Sequence, residues 1–175
     1  MYELSGRPIL KGRAILLPSD VRAGLIVPIS CRGSYNRQVF KEHCFEYLDP
    51  MIRARIASGD IIVTGKNFAS GESGEETAMA LMGLGIGAVI AESVNRIFLR
   101  NAINLGFPVV ILPNATSMID DFDVLIVDPF EAIVRNMTKS LAAKGKVLPK
   151  TFIRILEAGD IVSDVKLYFS KIKRE

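Results

Sequence analysis

The 175-residue chain has no tryptophan, two cysteines and a single histidine, and each scarcity removes a class of function. Cys31 and Cys44 stand thirteen positions apart with His43 beside the second, which matches none of the close-paired spacings that ligate zinc or an iron–sulfur cluster. No metal site within the chain is expected, and His43 and Cys44 read as a small, half-buried cluster on a helix. Long apolar runs are missing too. Ala88–Ala91 and Val109–Leu112 fall far short of the roughly 20 residues that cross a bilayer, so no membrane span is expected. The opening Met1-Tyr2-Glu3-Leu4 lacks the basic start and apolar stretch of a secretory signal, and a cytoplasmic location follows by default. Charge of one sign is nowhere concentrated: 22 basic against 19 acidic residues give +3. The longest cluster is the closing Lys171, Lys173 and Arg174, too little for a nucleic-acid footprint.

What the chain does have is apolar material, 49% of its residues, enough for one compact domain spanning 1–175. Ile9–Leu17 has the aliphatic and β-branched content of an opening strand pair, interrupted by the turn Pro18-Ser19-Asp20. A second apolar run covers Leu25–Ile29. The polar segment Cys31–Gln38, with Gly33, Ser34 and Asn36 as loop formers and Arg32 and Arg37 as its charges, reads as an exposed loop. Val39–Ile56 is helical around Asp49-Pro50, and Ile61–Thr64 is a short buried strand. A strand–helix rhythm follows, with helices near Glu75–Leu84 and Val94–Leu105 and strands at Ala88–Ala91 and Val109–Leu112. It argues for parallel neighbours covered by helices. Phe122–Val127 and Ala132–Asn136 read as a hairpin, and Phe152–Ala158 as a short helix ending on Gly159. The fold class is α/β, a sheet flanked by helices with accessory β-strands at both ends.

The stretch with the most chemistry is Gly65-Lys66-Asn67-Phe68-Ala69-Ser70-Gly71-Glu72-Ser73-Gly74-Glu75-Glu76. It reads as the end of a strand, a turn of small residues and a helix start. Ser73, with Glu76 three positions on, fits a capping box, in which the hydroxyl accepts from first-turn amides and the carboxylate reaches back. Free amides at such a start favour an anion, yet Glu72, Glu75 and Glu76 place three negative charges there. They suit the helix dipole and repel an anionic ligand. Asn67 most simply satisfies backbone groups in a tight bend.

Gly65-Lys66-Asn67-Phe68, followed by Gly71, Ser73 and Glu75, resembles the glycine–asparagine–phenylalanine–serine signature of the aconitase swivelling domain. The run Ala88-Val89-Ile90-Ala91-Glu92-Ser93, with Arg96-Ile97-Phe98 and Arg100-Asn101-Ala102-Ile103-Asn104-Leu105-Gly106-Phe107-Pro108, resembles the small-subunit family of 3-isopropylmalate dehydratases. Ser19-Asp20 is similar to the family's threonine–aspartate turn, Gly59–Val63 to its approach strand, and Leu148–Gly159 to its closing helix. The resemblance implies a swivelling β/β/α domain that acts as the small subunit of a hydro-lyase. It implies a large iron–sulfur subunit as partner, whose four-iron, four-sulfur cluster binds a small hydroxy acid as a Lewis acid, with no cofactor in this chain. In the family the signature loop presents two serines, one of them the base for the carbon-bound proton, and an arginine that clamps a substrate carboxylate.

At that loop the chain departs from the pattern. The first serine position is Glu72, the second remains Ser73, and the arginine position is Gly74; the residues just before are Ala69 and Ser70, and the family's histidine is Glu76. Glu72 and Ser73 are therefore the candidate catalytic residues. Asp20, Arg32, Arg37, Ser70, Gly71 and Gly74 are the candidate substrate-binding positions, with Arg32 and Arg37 able to supply the charge that glycine at 74 withdraws. Arg96 and Arg100, four apart on one helix face, read as fold or subunit contacts. The alternative function is a non-catalytic paralogue that keeps the fold as a partner-binding or regulatory subunit.

Overall fold

The computed structural model describes residues 7–31, 33, 34 and 36–172, with Arg37 as backbone only. The opening strand pair is in fact one strand, β1 (Leu10–Leu17), because its two halves serve different partners. Leu10–Arg13 pairs antiparallel with residues 124–127, while Ala14–Leu17 pairs parallel with Ile61–Thr64. Pro18 ends it. The apolar run that follows forms a one-turn helix, α1 (Ala23–Ile26), and a 3-10 turn at Ile29–Cys31.

The expected exposed loop at Cys31–Gln38 is narrower than its composition suggests. Cys31 is buried at 4% exposure, and Arg37 already opens α2 (Arg37–His43), whose first turn Asn36 caps by accepting from the Gln38 amide at 2.9 Å. Arg32 lies outside the described residues. After α3 (Met51–Arg55) come the strand–helix alternations the sequence predicts: β2 (Ile61–Thr64), α4 (Glu75–Gly83), β3 (Ala88–Ala91), α5 (Arg96–Asn104), β4 (Val109–Ile111) and the single turn α6 (Ala115–Met118). The chain closes with β5 (Val124–Asp128), β6 (Ile133–Asn136), β7 (Leu141–Lys144), α7 (Lys150–Ala158) and α8 (Ile161–Ile172).

The seven strands lie in the order β4-β3-β2-β1-β5-β6-β7. β1 to β4 are parallel, and the hairpins from β5 onward are antiparallel. Every residue of β2 and β3 is buried, as strands covered on both faces require. One face, with Ile15, Ile62 and Val89, packs against Phe40, Leu81, Phe98 and Ala102 of the helices. The other, with Ala14, Ile61, Val63 and Val110, packs against α6 and the inner faces of β5 and β6. The sheet curls far enough for its ends to touch: the Lys146 amide, just past β7, donates to the Ile111 carbonyl of β4 at 2.8 Å. Gly145 permits this approach, since a Cβ there would run into the Ile111 backbone.

α7 packs on α5 through Ile103, Phe130, Ile155 and Leu156, and Gly159 at φ +95 closes it as expected. α8 continues from there and docks on α7, where Arg154 pairs with Asp164 at 2.8 Å.

Candidate functional site

The loops that leave the C-terminal ends of β1, β2 and β3 meet at one end of the sheet, the place where open α/β sheets bind ligands. Hydrogen bonds join them into one layer. The Asp20 amide donates to Lys66 O at 2.7 Å, and Asn67 Nδ2 donates to the Asp20 carboxylate at 2.6 Å. The Asn67 amide donates to Ser93 Oγ at 2.9 Å and the Asn95 amide to Phe68 O at 2.9 Å. Ala23 N–H reaches Ser70 O at 2.9 Å. Phe68 roots the layer in the core, fully buried and edge-on to Phe98 with ring centroids 5.4 Å apart. Asp20, Asn67 and Ala69 all have positive φ, near +60°. Asp and Asn tolerate that region; alanine does not do so cheaply, and strain of this kind gathers at functional sites.

Between these loops lies an open cleft of about 590 Å³ lined by Arg22, Gly24, Leu25, Ser70, Gly71, Glu72 and Ile97. It gathers three of the sequence candidates, Ser70, Gly71 and Glu72, the last exposed at its mouth. Asp20 is instead committed to Asn67, so Asn67 serves a side-chain partner rather than the backbone groups expected of it. Arg37 begins α2, with only its backbone described. Arg22, Leu25 and Ile97 escaped the sequence reading. Arg22 was legible as the first cation after the aspartate turn; Ile97 looked like ordinary helix apolarity.

The capping box does not form. α4 takes Gly74 as its N-cap, with no side-chain cap bond, one residue later than the motif requires. Ser73 is pushed outside the helix, where its Oγ is buried and has no hydrogen-bond partner. The carboxylate of Glu76 folds back over Gly74 into space that a Cβ at 74 would need. Glycine at 74 leaves open the space that the Glu76 carboxylate occupies. An orphaned buried hydroxyl costs about 1–3 kcal/mol. Ser73→Ala is therefore expected to leave the thermal midpoint unchanged or slightly raised; a fall of more than roughly 3 °C in thermal unfolding, the size of a lost cap in a chain this long, contradicts the assignment.

The chain's own thiols fit no cluster. Cys31 and Cys44 are free and buried, so Cys44 is more buried than the half-buried cluster expected, and burial pushes its thiol well above the ordinary range, away from the thiolate a metal needs. His43 is spoken for by Glu46, 2.7 Å from its Nδ1. Among the described residues no three His, Cys, Asp or Glu side chains converge as a metal site, and no helix is long and apolar enough to cross a membrane.

Residues 24–114, which include the loops after β2 and β3, match the family model described as the aconitase C-terminal domain. The chain is 35% identical over 157 residues to the 3-isopropylmalate dehydratase small subunit of Halothermothrix orenii, covering 90% of this chain and 95% of that one. The chain belongs to this family. A second member, the 3-isopropylmalate dehydratase small subunit of Pyrobaculum calidifontis, is 37% identical over 158 residues and covered to 98%. Among solved structures, 3-isopropylmalate dehydratase of Methanocaldococcus jannaschii superposes with a TM-score of 0.86 at 31% identity, covering 96% of this chain and all of that one. The curled sheet flanked by helices is the fold of that aconitase-family relative.

Proposed function

We propose that the chain is the small subunit of an aconitase-family hydro-lyase, working in the cytoplasm with a large subunit and acting on a small hydroxy acid. What supports this most is likeness along nearly the whole length of proteins named as such subunits, 90% of this chain against 95% of the H. orenii relative.

The four-iron, four-sulfur cluster expected in the large subunit would supply the Lewis acid that polarises the substrate hydroxyl. This chain's residues do the rest. Glu72, exposed at the cleft mouth, takes the carbon-bound proton onto a carboxylate oxygen as the double bond forms and the carbon–oxygen bond breaks, the departing hydroxyl gaining a proton to leave as water. A carboxylate is a competent general base when it is within reach and suitably poised. Ser73 follows Glu72 directly, and its buried Oγ, without a partner in the chain alone, is available to hydrogen-bond the bound substrate once the partner closes. The loops carrying both residues are braced by the Asp20–Asn67 and Asn67–Ser93 bonds, so the base is held by the scaffold.

Co-expression with the large subunit of the same organism tests the association. The two chains are expected to co-purify as a stable heteromer. Separate elution, with a large subunit fully active alone, contradicts the proposal and favours a paralogue with another role.

A further inference from the structure

A hydroxy dicarboxylate brings negative charge into a cleft already lined by Glu72, so a cation must meet it. Position 74, where the family pattern places an arginine, is closed to that task because the Glu76 carboxylate covers Gly74. A carboxylate placed there would face another carboxylate.

The cleft holds a different guanidinium. Arg22 stands at the start of α1, one residue after the buried Val21. Its backbone is tied to the signature loop by the bridge to Ser70 and by the Ala23 amide on Ser70 O at 2.9 Å. Its side chain turns back across Gly71: a Cβ added there would lie 3.7 Å from Nη2 and 3.8 Å from Nε. Gly71, at φ +82, makes the turn, and the guanidinium lies within van der Waals reach of it. Arg7, Arg13, Arg55 and Arg154 are engaged by Glu157, Asp60, Asp121 and Asp164. Arg22 is exposed and pairs with no described carboxylate.

We propose that Arg22 binds a carboxylate of the hydroxy-acid substrate, replacing from the β1–α1 loop the clamp that position 74 has lost. This rests on the function proposed above. Arg22 and Glu72 line the same cleft, so a substrate anchored by one carboxylate on Arg22 presents its neighbouring carbon toward the base. A guanidinium is charged at every relevant pH and grips a carboxylate through two parallel N–H bonds. Lysine is a poor substitute.

The test uses the reconstituted two-subunit complex and the hydroxy dicarboxylate it turns over. Arg22→Gln is expected to raise KM on the order of 30-fold, as for the loss of one charge-assisted pair, with kcat and the thermal midpoint little changed. Replacing one substrate carboxylate by a carboxamide should cost the wild type the same factor and cost Arg22→Gln nothing more. Methylguanidinium should restore part of the activity of Arg22→Ala, a rescue that a purely structural role would not give. An unchanged KM in an active Arg22→Gln complex overturns the proposal, as does a loss accompanied by a lower melting point and no rescue. If the wild-type complex turns over no hydroxy acid, the functional proposal fails. Arg22 is then judged by titrating the full chain with 2-isopropylmalate and following the Arg22 Nε–H and Gly71 amide resonances. Saturable shifts absent from Arg22→Gln sustain it, and no shift overturns it.

Discussion

Glu72→Gln in the reconstituted complex lowers turnover by at least about a hundredfold, since a positioned general base is typically worth 10²–10⁴ in rate. The substitution keeps the side chain's shape and removes its basicity. Glu72 is exposed and precedes the start of α4 by three residues, outside the core clusters that hold the fold, so the thermal midpoint is expected to move by less than roughly 2 °C, within the range of an ordinary surface change. KM should change far less than kcat, because the lost interaction belongs to the transition state. Ser73→Ala in the same complex separates the two candidates: a small loss leaves Glu72 as the base, and a loss equal to that of Glu72→Gln transfers the role to Ser73. A silent Glu72→Gln in an active complex removes Glu72 from the chemistry.

Asp60→Ala has the largest expected effect on stability, about 1–3 kcal/mol with the half-exposed Arg13 partly screened by solvent, or roughly 2–12 °C in a domain of this size. Asp60 is 3% exposed at the entrance to β2. Its carboxylate accepts from Arg13 Nη2 at 2.7 Å and Nε at 3.1 Å, and from the Ala57 amide at 2.8 Å. It thereby locks β1 to the turn that launches β2, and its removal takes their carboxylate partner from the Ala57 amide and the Arg13 guanidinium. Burial on its own pushes this carboxyl up, but the bonds and charge of Arg13 and the Ala57 amide outweigh it and hold the pKa below the ordinary carboxylate value. A lowered folded pKa gives stability that is complete above the unfolded value, near pH 4, and is lost as the pH falls through the folded one. Wild-type stability should therefore decline below about pH 4 with a slope that Asp60→Ala flattens. Denaturant unfolding of both chains between neutral and acid pH measures it, and equal slopes would remove Asp60 from the acid response.

The middle of the fold was legible because its signals are local. Ile61–Thr64 and Ala88–Ala91 are short aliphatic runs bounded by turn residues, and both are buried strands. Gly159 was a helix stop by composition and is one at φ +95. The ends were less legible for physical reasons. β7, Leu141-Ala142-Ala143-Lys144, has neither β-branched residues nor alternation, since it is largely exposed, and only pairing with β6 makes it a strand. α8 lay past the glycine stop, although Asp160 announces it by accepting from the Ser163 amide at 2.6 Å. Cys31 sits in a polar stretch and is nonetheless in the core.

In the site, position along the chain led to Glu72, which lines the cleft, but local pattern misassigned Ser73 as a helix cap. The capping box depends on where the helix begins, and glycine at 74 with Glu76 folded over it moves that start by one residue. Arg22 was hidden because its partner surface, the backbone of Gly71, lies 49 positions away in sequence. Such contacts arise only when the loops after β1 and β2 are brought side by side.

The most direct measurement is dehydration of a panel of hydroxy acids by the large subunit with and without this chain, followed through the ultraviolet absorbance of the unsaturated acid formed. The complex is expected to turn over at least one hydroxy acid, and the large subunit alone essentially none. Equal turnover with and without the chain, or none from a complex whose cluster is intact, contradicts it.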